Sequence, residues 1–253
     1  MTAKQTISCW LSVVLCMLGC SPSTSSHLHI VVSGDTAGWI TPCGCTANQS
    51  GGLERRASLI KSLGAMDRVV YLDVGGSAAG KSEYQQVKLK SILQGDQLMG
   101  LEVHNIGAPE TQLSPETLVA IGKEAKTRLL SANLQMVNVD DSTQSAIASH
   151  RVIVRHGVRI LVIGVIDPSL VKNPLWKARD ASASALAVLQ NVHADVRIVL
   201  AYMDEPGLRA LAESLPEVDY VVGGPHRADV GAVQCGTGRG HVGDQQREIP
   251  SQD

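Results

Sequence analysis

His29-Ile30-Val31-Val32-Ser33-Gly34-Asp35 is a short apolar strand that runs into a Gly-Asp turn. Val69-Val70-Tyr71-Leu72-Asp73-Val74-Gly75-Gly76 further along is a second such strand, also ending in glycine. Between them, Gly51-Gly52 precede Leu53, Ala57, Ile60 and Leu63, which fall on one helical stripe. Strand, helix and strand in that order open an alternating α/β pattern. The pattern continues with a predicted helix over 84–99 and a strand over 103–106. A loop at Gly107-Ala108-Pro109 follows, then a helix over 115–125 with proline at its start, then a strand over 129–134. In the second half, strands over 151–154 and 159–166 flank His156-Gly157 as a hairpin. After them come a helix over 181–192, a strand over 196–201, a helix over 208–215 and a strand over 220–222. A further hairpin is expected over 230–249. There is no internal repeat and no linker after Ser26. The expectation is one α/β domain with a mixed sheet or two stacked sheets.

Composition narrows the function classes. The chain has 253 residues, 44% hydrophobic and 18% charged, which is enough apolar material for a sizeable core. Its formal charge of -2 gives no electrostatic footprint for nucleic acid. With no Phe, three Trp and four Tyr, the core is aliphatic and platforms for stacking bases are absent.

The first residues read as an export signal. Lys4 is the only charge before Cys20, and residues 7–18 are almost wholly apolar. That run is shorter than the roughly 20 residues of a membrane span and has the length of a signal-peptide core. It ends in Met17-Leu18-Gly19-Cys20, which resembles a bacterial lipobox with Met where Leu is usual. The resemblance implies a lipoprotein signal peptide over 1–19, a lipid-bearing Cys20, and a polar tether through residue 27. It places the domain at 28–253 in the bacterial cell envelope, anchored to the membrane on its periplasmic face. Ser21 after the cysteine favours the outer membrane.

Export sets the redox setting. Cys43, Cys45 and Cys235 remain in the exported part, an odd number, so one is left unpaired or carries chemistry. A disulfide within Cys43-Gly44-Cys45 closes a very small ring and is readily reduced. The pair therefore reads as a redox dithiol, as a strained structural bridge, or as thiolate ligands for a single copper or zinc ion. Two thiolates alone do not complete a tetrahedral zinc site.

One local motif points elsewhere. Gly75-Gly76-Ser77-Ala78-Ala79-Gly80-Lys81-Ser82 satisfies the spacing of a phosphate-binding P-loop, between a strand and a helix. An exported protein meets no ATP pool, and chance matches are frequent in a chain with 24 Gly. The reading adopted is a glycine-rich loop leading into a helix. His104 beside Asn105 reads as strand packing.

The ordered set of motifs resembles the calcineurin-like metallophosphoesterases, in the branch of the periplasmic 5′-nucleotidases and UDP-sugar hydrolases. It comprises Ser33-Gly34-Asp35, Gly51-Gly52-Leu53-Glu54-Arg55-Arg56 and Tyr71-Leu72-Asp73-Val74-Gly75-Gly76. It continues through Val103-His104-Asn105-Ile106-Gly107-Ala108-Pro109-Glu110, Leu130-Ser131-Ala132-Asn133-Leu134 and Ile198-Val199-Leu200-Ala201-Tyr202. It ends at Val221-Val222-Gly223-Gly224-Pro225-His226-Arg227. The resemblance implies a four-layer αββα sandwich with two metal ions at strand ends, clamping a phosphoryl group and activating water. It also implies that the separate C-terminal nucleotide-specificity domain of full-length relatives is not part of residues 28–253.

The same resemblance shows which ligands are missing. Asp35 stands where the first metal-binding Asp belongs, but Ala37 replaces the His that follows it. Gly76 falls at the metal-bridging Asp. Ala108-Pro109 replace an Asn-His pair, leaving Glu110, and Tyr202 stands at a strand-end His. Gly224-Pro225-His226-Arg227 shifts the final histidines out of place, with His226 a weak candidate ligand. A dinuclear Mn, Zn or Fe centre is therefore not expected, and Asp35 is a vestigial ligand; the alternatives are an active metal-dependent hydrolase with a rebuilt site and a non-catalytic binding module. Gly76, Glu110, Tyr202 and Arg227 are expected to line the old cleft together with Arg55 and Arg56. The Pro42-Cys43-Gly44-Cys45 segment, which a branch of the family carries before its Gly-Gly-Leu-x-Arg-Arg helix, is expected at the cleft mouth. Cys43 and Cys45 are then candidate redox residues for an envelope redox partner. Arg55, Arg56 and the helix N-terminus would favour their thiolates.

Overall fold

The structure, a computed structural model, describes residues 27–42, 51–224 and 232–234. In chain order the described elements begin with β1 (His29–Ser33), α1 (Leu53–Ser62), β2 (Val69–Asp73), α2 (Glu83–Leu98), β3 (Leu101–Asn105) and α3 (Pro115–Ala125). Next come β4 (Leu129–Leu130), β5 (Leu134–Met136), α4 (Asp141–Gln144), β6 (Ile147–Ala148), β7 (His150–Arg155) and β8 (Val158–Ile166). The last are β9 (Trp176–Ala178), α5 (Ala181–Leu189), β10 (Val196–Tyr202), α6 (Glu205–Ser214), β11 (Tyr220–Gly224) and β12 (Ala232–Gln234). One sheet has the order β1-β2-β3-β4-β6, all parallel. The other has the order β12-β11-β10-β8-β7, with a parallel centre and an antiparallel strand at each edge.

Side-chain alternation shows why the sheets stack. In β8, Ile160, Val162 and Ile166 face the other sheet, while Leu161, Ile163 and Val165 face α5 and α6. β10 repeats this with Ile198, Leu200 and Tyr202 on one face and Val199 and Ala201 on the other. In β2, Val70 and Leu72 point between the sheets, while Val69 and Tyr71 pack with Ile60 of α1 and Met99 after α2. Strands that are apolar on both faces must be covered on both faces. The result is the expected α/β four-layer αββα sandwich: α1–α3, sheet, sheet, α5–α6.

The helices start where their caps place them. Ser82, Ser114, Asp180 and Asp204 each accept a backbone N–H at the N-termini of α2, α3, α5 and α6. The Asp204 cap, with Pro206 in the first turn, starts α6 at Glu205, ahead of the expected 208. α1 has no side-chain cap. Its first N–H, from Leu53, donates instead to Ile40 O at 2.9 Å.

The strand expected over 129–134 is broken after Leu130. Asn133 explains the break: its amide donates to Ile166 O and Arg179 O, and its Oδ1 accepts from Ile166 N. Ala132 N donates to Gly164 O at 2.6 Å, so the chain passes from one sheet to the other at this point. The two-residue β4 and β6 carry no periodicity that a sequence could reveal. Of the hairpin expected over 230–249, only β12 lies among the described residues.

Candidate functional site

The parallel strands bring their C-terminal ends together. The loop after β1 is stitched to the loop after β2 by three backbone hydrogen bonds: Asp35 N to Gly75 O at 2.8 Å, Ala37 N to Gly76 O at 2.8 Å, and Gly38 N to Ser77 O at 3.0 Å. This wrap holds Asp35 and Ala37 in the left-handed region, at φ 51° and 47°. A cleft of about 220 Å³ lies between Ser33, Asp35, Gly75, Tyr202 and Gly223-Gly224.

Tyr202, the last residue of β10, dominates this end. Its ring rests on two glycines. A Cβ on Gly107 would lie 2.7 Å from the ring carbons, and one on Gly76 would lie 2.9 Å from Cε2 and inside contact distance of Asp35 Oδ1. The Tyr202 hydroxyl donates to Asp35 Oδ1 at 2.9 Å. Burial, the Asp35 carboxylate and Glu110 together push the phenol above its ordinary range, so it stays protonated.

Beneath the cleft floor runs a buried ionic chain. The Glu110 carboxylate accepts N–H groups from Gly76 (3.0 Å), Ala78 (2.8 Å) and Gly107 (3.0 Å). His104 lies between Glu110, at 3.8 Å, and Asp73, at 2.8 Å, with all three side chains fully buried. Burial pushes His104 down, but the two carboxylates outweigh it and hold the imidazole up at about 10. Burial raises Asp73 and Glu110, yet the imidazolium prevails and both lie below the usual carboxylate range. Ser33 Oγ donates to Asp73, and Tyr71 OH donates to Asp96 Oδ1 at 2.8 Å. Arg56 closes the chain, donating to Asp96 (2.8 Å), Tyr71 (3.1 Å) and Thr36 (2.7 Å).

The expected site residues divide accordingly. Asp35 and Tyr202 line the cleft and touch each other. Gly76 lies under the Tyr202 ring. Glu110 does not line the cleft: it is 0% exposed, drawn under the loop by three N–H groups. Arg56 likewise faces inward to Asp96, Tyr71 and Thr36, so its charge serves the fold, while Arg55 is exposed. Cys20, Cys43, Cys45, His226 and Arg227 lie outside the described residues. The neck of the cysteine loop is described, however. Gly52 abuts Pro42, 2.7 Å from the nearest atom to a would-be Cβ, and Leu53 N reaches Ile40 O. Residues 42 and 52, which flank the cysteine segment in sequence, thus meet at the N-terminus of α1.

His104, Tyr71 and Asp96 were not expected to matter. A histidine and an asparagine at the end of an apolar strand were the available signal for the first. The P-loop spacing at 75–82 also gains a physical answer. The N–H groups of Gly76 and Ala78, which would cradle a phosphate, donate to Glu110 instead.

The described residues do not fit a dinuclear metal centre. Two close divalent cations need several oxygen and nitrogen donors. Asp35 already accepts the Tyr202 hydroxyl, Gly76 has no room for a side chain, Ala108 and Pro109 offer no donor, and Glu110 is enclosed. Among the described residues, no group of three or more His, Cys, Asp or Glu is placed to hold a metal ion.

Comparison with known proteins places this fold. The chain is similar to the 5′-nucleotidase precursor of Thermus thermophilus, with TM-score 0.67 and 21% identity over 83% of this chain and 45% of that one. It is similar to the NAD nucleotidase of Haemophilus influenzae, with TM-score 0.65 and 17% identity over 78% and 38%. It is also similar to a calcineurin-like phosphoesterase of Bacillus subtilis, with TM-score 0.63 and 18% identity over 80% and 74%. The chain spans less than half the length of the two nucleotidases. No family model matches the sequence, and no curated protein matches it. The fold is that of the 5′-nucleotidases and calcineurin-like phosphoesterases.

Proposed function

We propose that this chain is an exported, lipid-anchored protein of calcineurin-like phosphoesterase fold without dinuclear phosphoesterase activity, working through the Cys43–Cys45 pair. One observation carries the loss of hydrolysis: the Tyr202 ring lies on Gly76 and Gly107 with its hydroxyl on Asp35, so neither glycine position has room for a ligand side chain. The contact of Pro42 with Gly52 supports the thiol reading, because Pro42 directly precedes Cys43 and stands at the α1 N-terminus, where a thiolate is favoured. In the redox form of this reading, a partner dithiol reduces the Cys43–Cys45 disulfide. Two electrons and two protons pass to the pair, and the partner becomes a disulfide. A single copper or zinc ion on the two thiolates is the competing use of the same atoms.

Metal content and hydrolysis test the first half. After loading with Mn²⁺ and Zn²⁺, the chain is expected to retain no pair of ions. It is also expected to leave AMP, UDP-glucose and bis-p-nitrophenyl phosphate intact. Two metals per chain with turnover would restore the hydrolase reading. Alkylation mass spectrometry before and after mild reduction tests the second half: thiols labelled only after reduction support a redox pair, and a bridge that resists reduction sinks it.

A second reading, a non-catalytic binding module, is favoured by Trp39 and Tyr84. These two aromatics are 52% and 69% exposed near the loop neck, where Gly38 packs by Lys88, which lies over Tyr84. Exposed aromatic anchors suit a protein partner. Replacing Cys43 and Cys45 by Ser should abolish the thiol function and spare simple binding.

A further inference from the structure

We infer that the end of the sandwich opposite the cleft is a docking face for an anionic bilayer. The inference rests on the lipid-anchor reading of Cys20 given above. Parallel strands place their N-terminal ends together, so the entrances to β1, β2, β3 and β4 share one end of the molecule. The tether enters β1 at His29, which pairs with Val69. Nine peptide steps from Cys20 to His29 reach at most about 30 Å. An acyl chain on Cys20 therefore has its shortest path to the membrane at this end.

That end is apolar and basic. Leu98, at the last turn of α2, is 90% exposed, and Met66 is 46% exposed. Met66 Cε lies 2.5 Å from where a Cβ on Gly100 would stand, so both apolar side chains flank the same short connection into β3. Such side chains gain by entering the headgroup–acyl boundary. Of the acids at this end, Glu124 pairs with Lys90 at 2.9 Å and Glu102 with Arg155, Asp67 lies 3.5 Å from His156, and Asp140 and Asp141 before β6 are exposed. No ion pair among the described residues neutralises the exposed Arg68, Lys126 or Arg128, on a chain whose overall charge is -2. A local basic surplus on an acidic protein complements anionic lipid.

A hollow of about 100 Å³ opens at the same end, lined by Lys123, Lys126 and Thr127. The buried Thr127 Oγ1 has no hydrogen-bond partner. Anionic headgroups at this hollow would supply a counter-charge for both lysines. Docking in this way turns the cleft towards the aqueous side, where a soluble partner can reach it.

The test uses the full lipid-bearing chain reconstituted into vesicles of phosphatidylglycerol and phosphatidylcholine. It compares the parent with Leu98→Trp, and the exposed position tolerates the change without unfolding. With brominated acyl chains, the emission added by the substitution is expected to fall about twofold, while the parent's Trp39 and Trp176 emission stays unchanged. Chain that floats with the vesicles but shows no added quenching overturns the docking face and leaves the anchor standing. Chain that does not float overturns the anchor, and the docking face with it.

Discussion

At the scale of single residues, Gly76 decides what this site can be. It sits at φ 81°, with Asp35 on one side and the Tyr202 ring on the other. Gly76→Asp restores the residue that a metal-bridging position would need, yet its Cβ has no space and its backbone angle disfavours it. The substitution is expected to cost about 2–4 kcal/mol, from overpacking plus left-handed strain, rather than to recruit metal. Adding Tyr202→Ala opens the space, so the double variant should recover part of the loss. Equilibrium urea unfolding of both singles and the double measures this coupling. Strict additivity would mean that the tyrosine does not crowd the glycine. The family resemblance implied that ligands are missing at both positions. It could not show that the two replacements fit each other, because Gly76 and Tyr202 are far apart in the chain and their contact exists only once the sheets have stacked.

At the scale of elements, Arg56 ties α1 to three other segments. Arg56 reaches Asp96 of α2, Tyr71 of β2 and Thr36 of the loop after β1, and the Arg56–Asp96 pair is largely buried. Arg56→Ala leaves Asp96 unpaired in an apolar setting and is expected to cost about 3–5 kcal/mol. Arg56→Lys keeps the charge but lacks the fork that serves three acceptors, and should recover less than half of that. Thermal unfolding of both variants checks the order, and equal losses would mean that geometry is unimportant here. The loop neck at Ile40, Pro42 and Gly52 depends on the same anchor, so amide exchange at Leu53 should quicken in Arg56→Ala.

This scale also marks what the chain makes legible. β2, β8 and β10, with their apolar runs, and α3, with Ser114 and Pro115, are readable because burial and capping write themselves into adjacent residues. Arg56 was readable as a charge at a helix start but not as a strut, since its partners come from three other segments. The break after Leu130 was hidden for the same reason. Asn133 ends the strand by bonding to Ile166 and Arg179, which only the fold brings near.

At the scale of the whole molecule, the buried Asp73–His104–Glu110 group ties stability to pH. His104 has an ordinary value of 6.5 and is held at about 10 in the fold. Its contribution is therefore complete below about 6.5 and is lost as pH rises towards 10. Between those values the unfolded chain binds about one proton fewer than the folded one, so stability should fall by about 1.4 kcal/mol per pH unit. Asp73 and Glu110 are held below their ordinary values of 3.8 and 4.5, so their contribution is present above those values and is lost on further acidification. Asp96 runs the other way, since burial and Asp73 raise it and its charge costs stability once pH exceeds its ordinary 3.8. The group as a whole thus favours the range between about 4.5 and 6.5. His104→Gln removes the cation from between two buried carboxylates. Near neutral pH it should destabilise by about 3–5 kcal/mol, and it should remove the decline between 6.5 and 9. Urea midpoints of parent and variant at several pH values across that span separate the two effects. A parent whose midpoint stays level from 6.5 to 9 would mean that His104 is neutral in the fold. Glu110 would then be held by the N–H groups of Gly76, Ala78 and Gly107 alone.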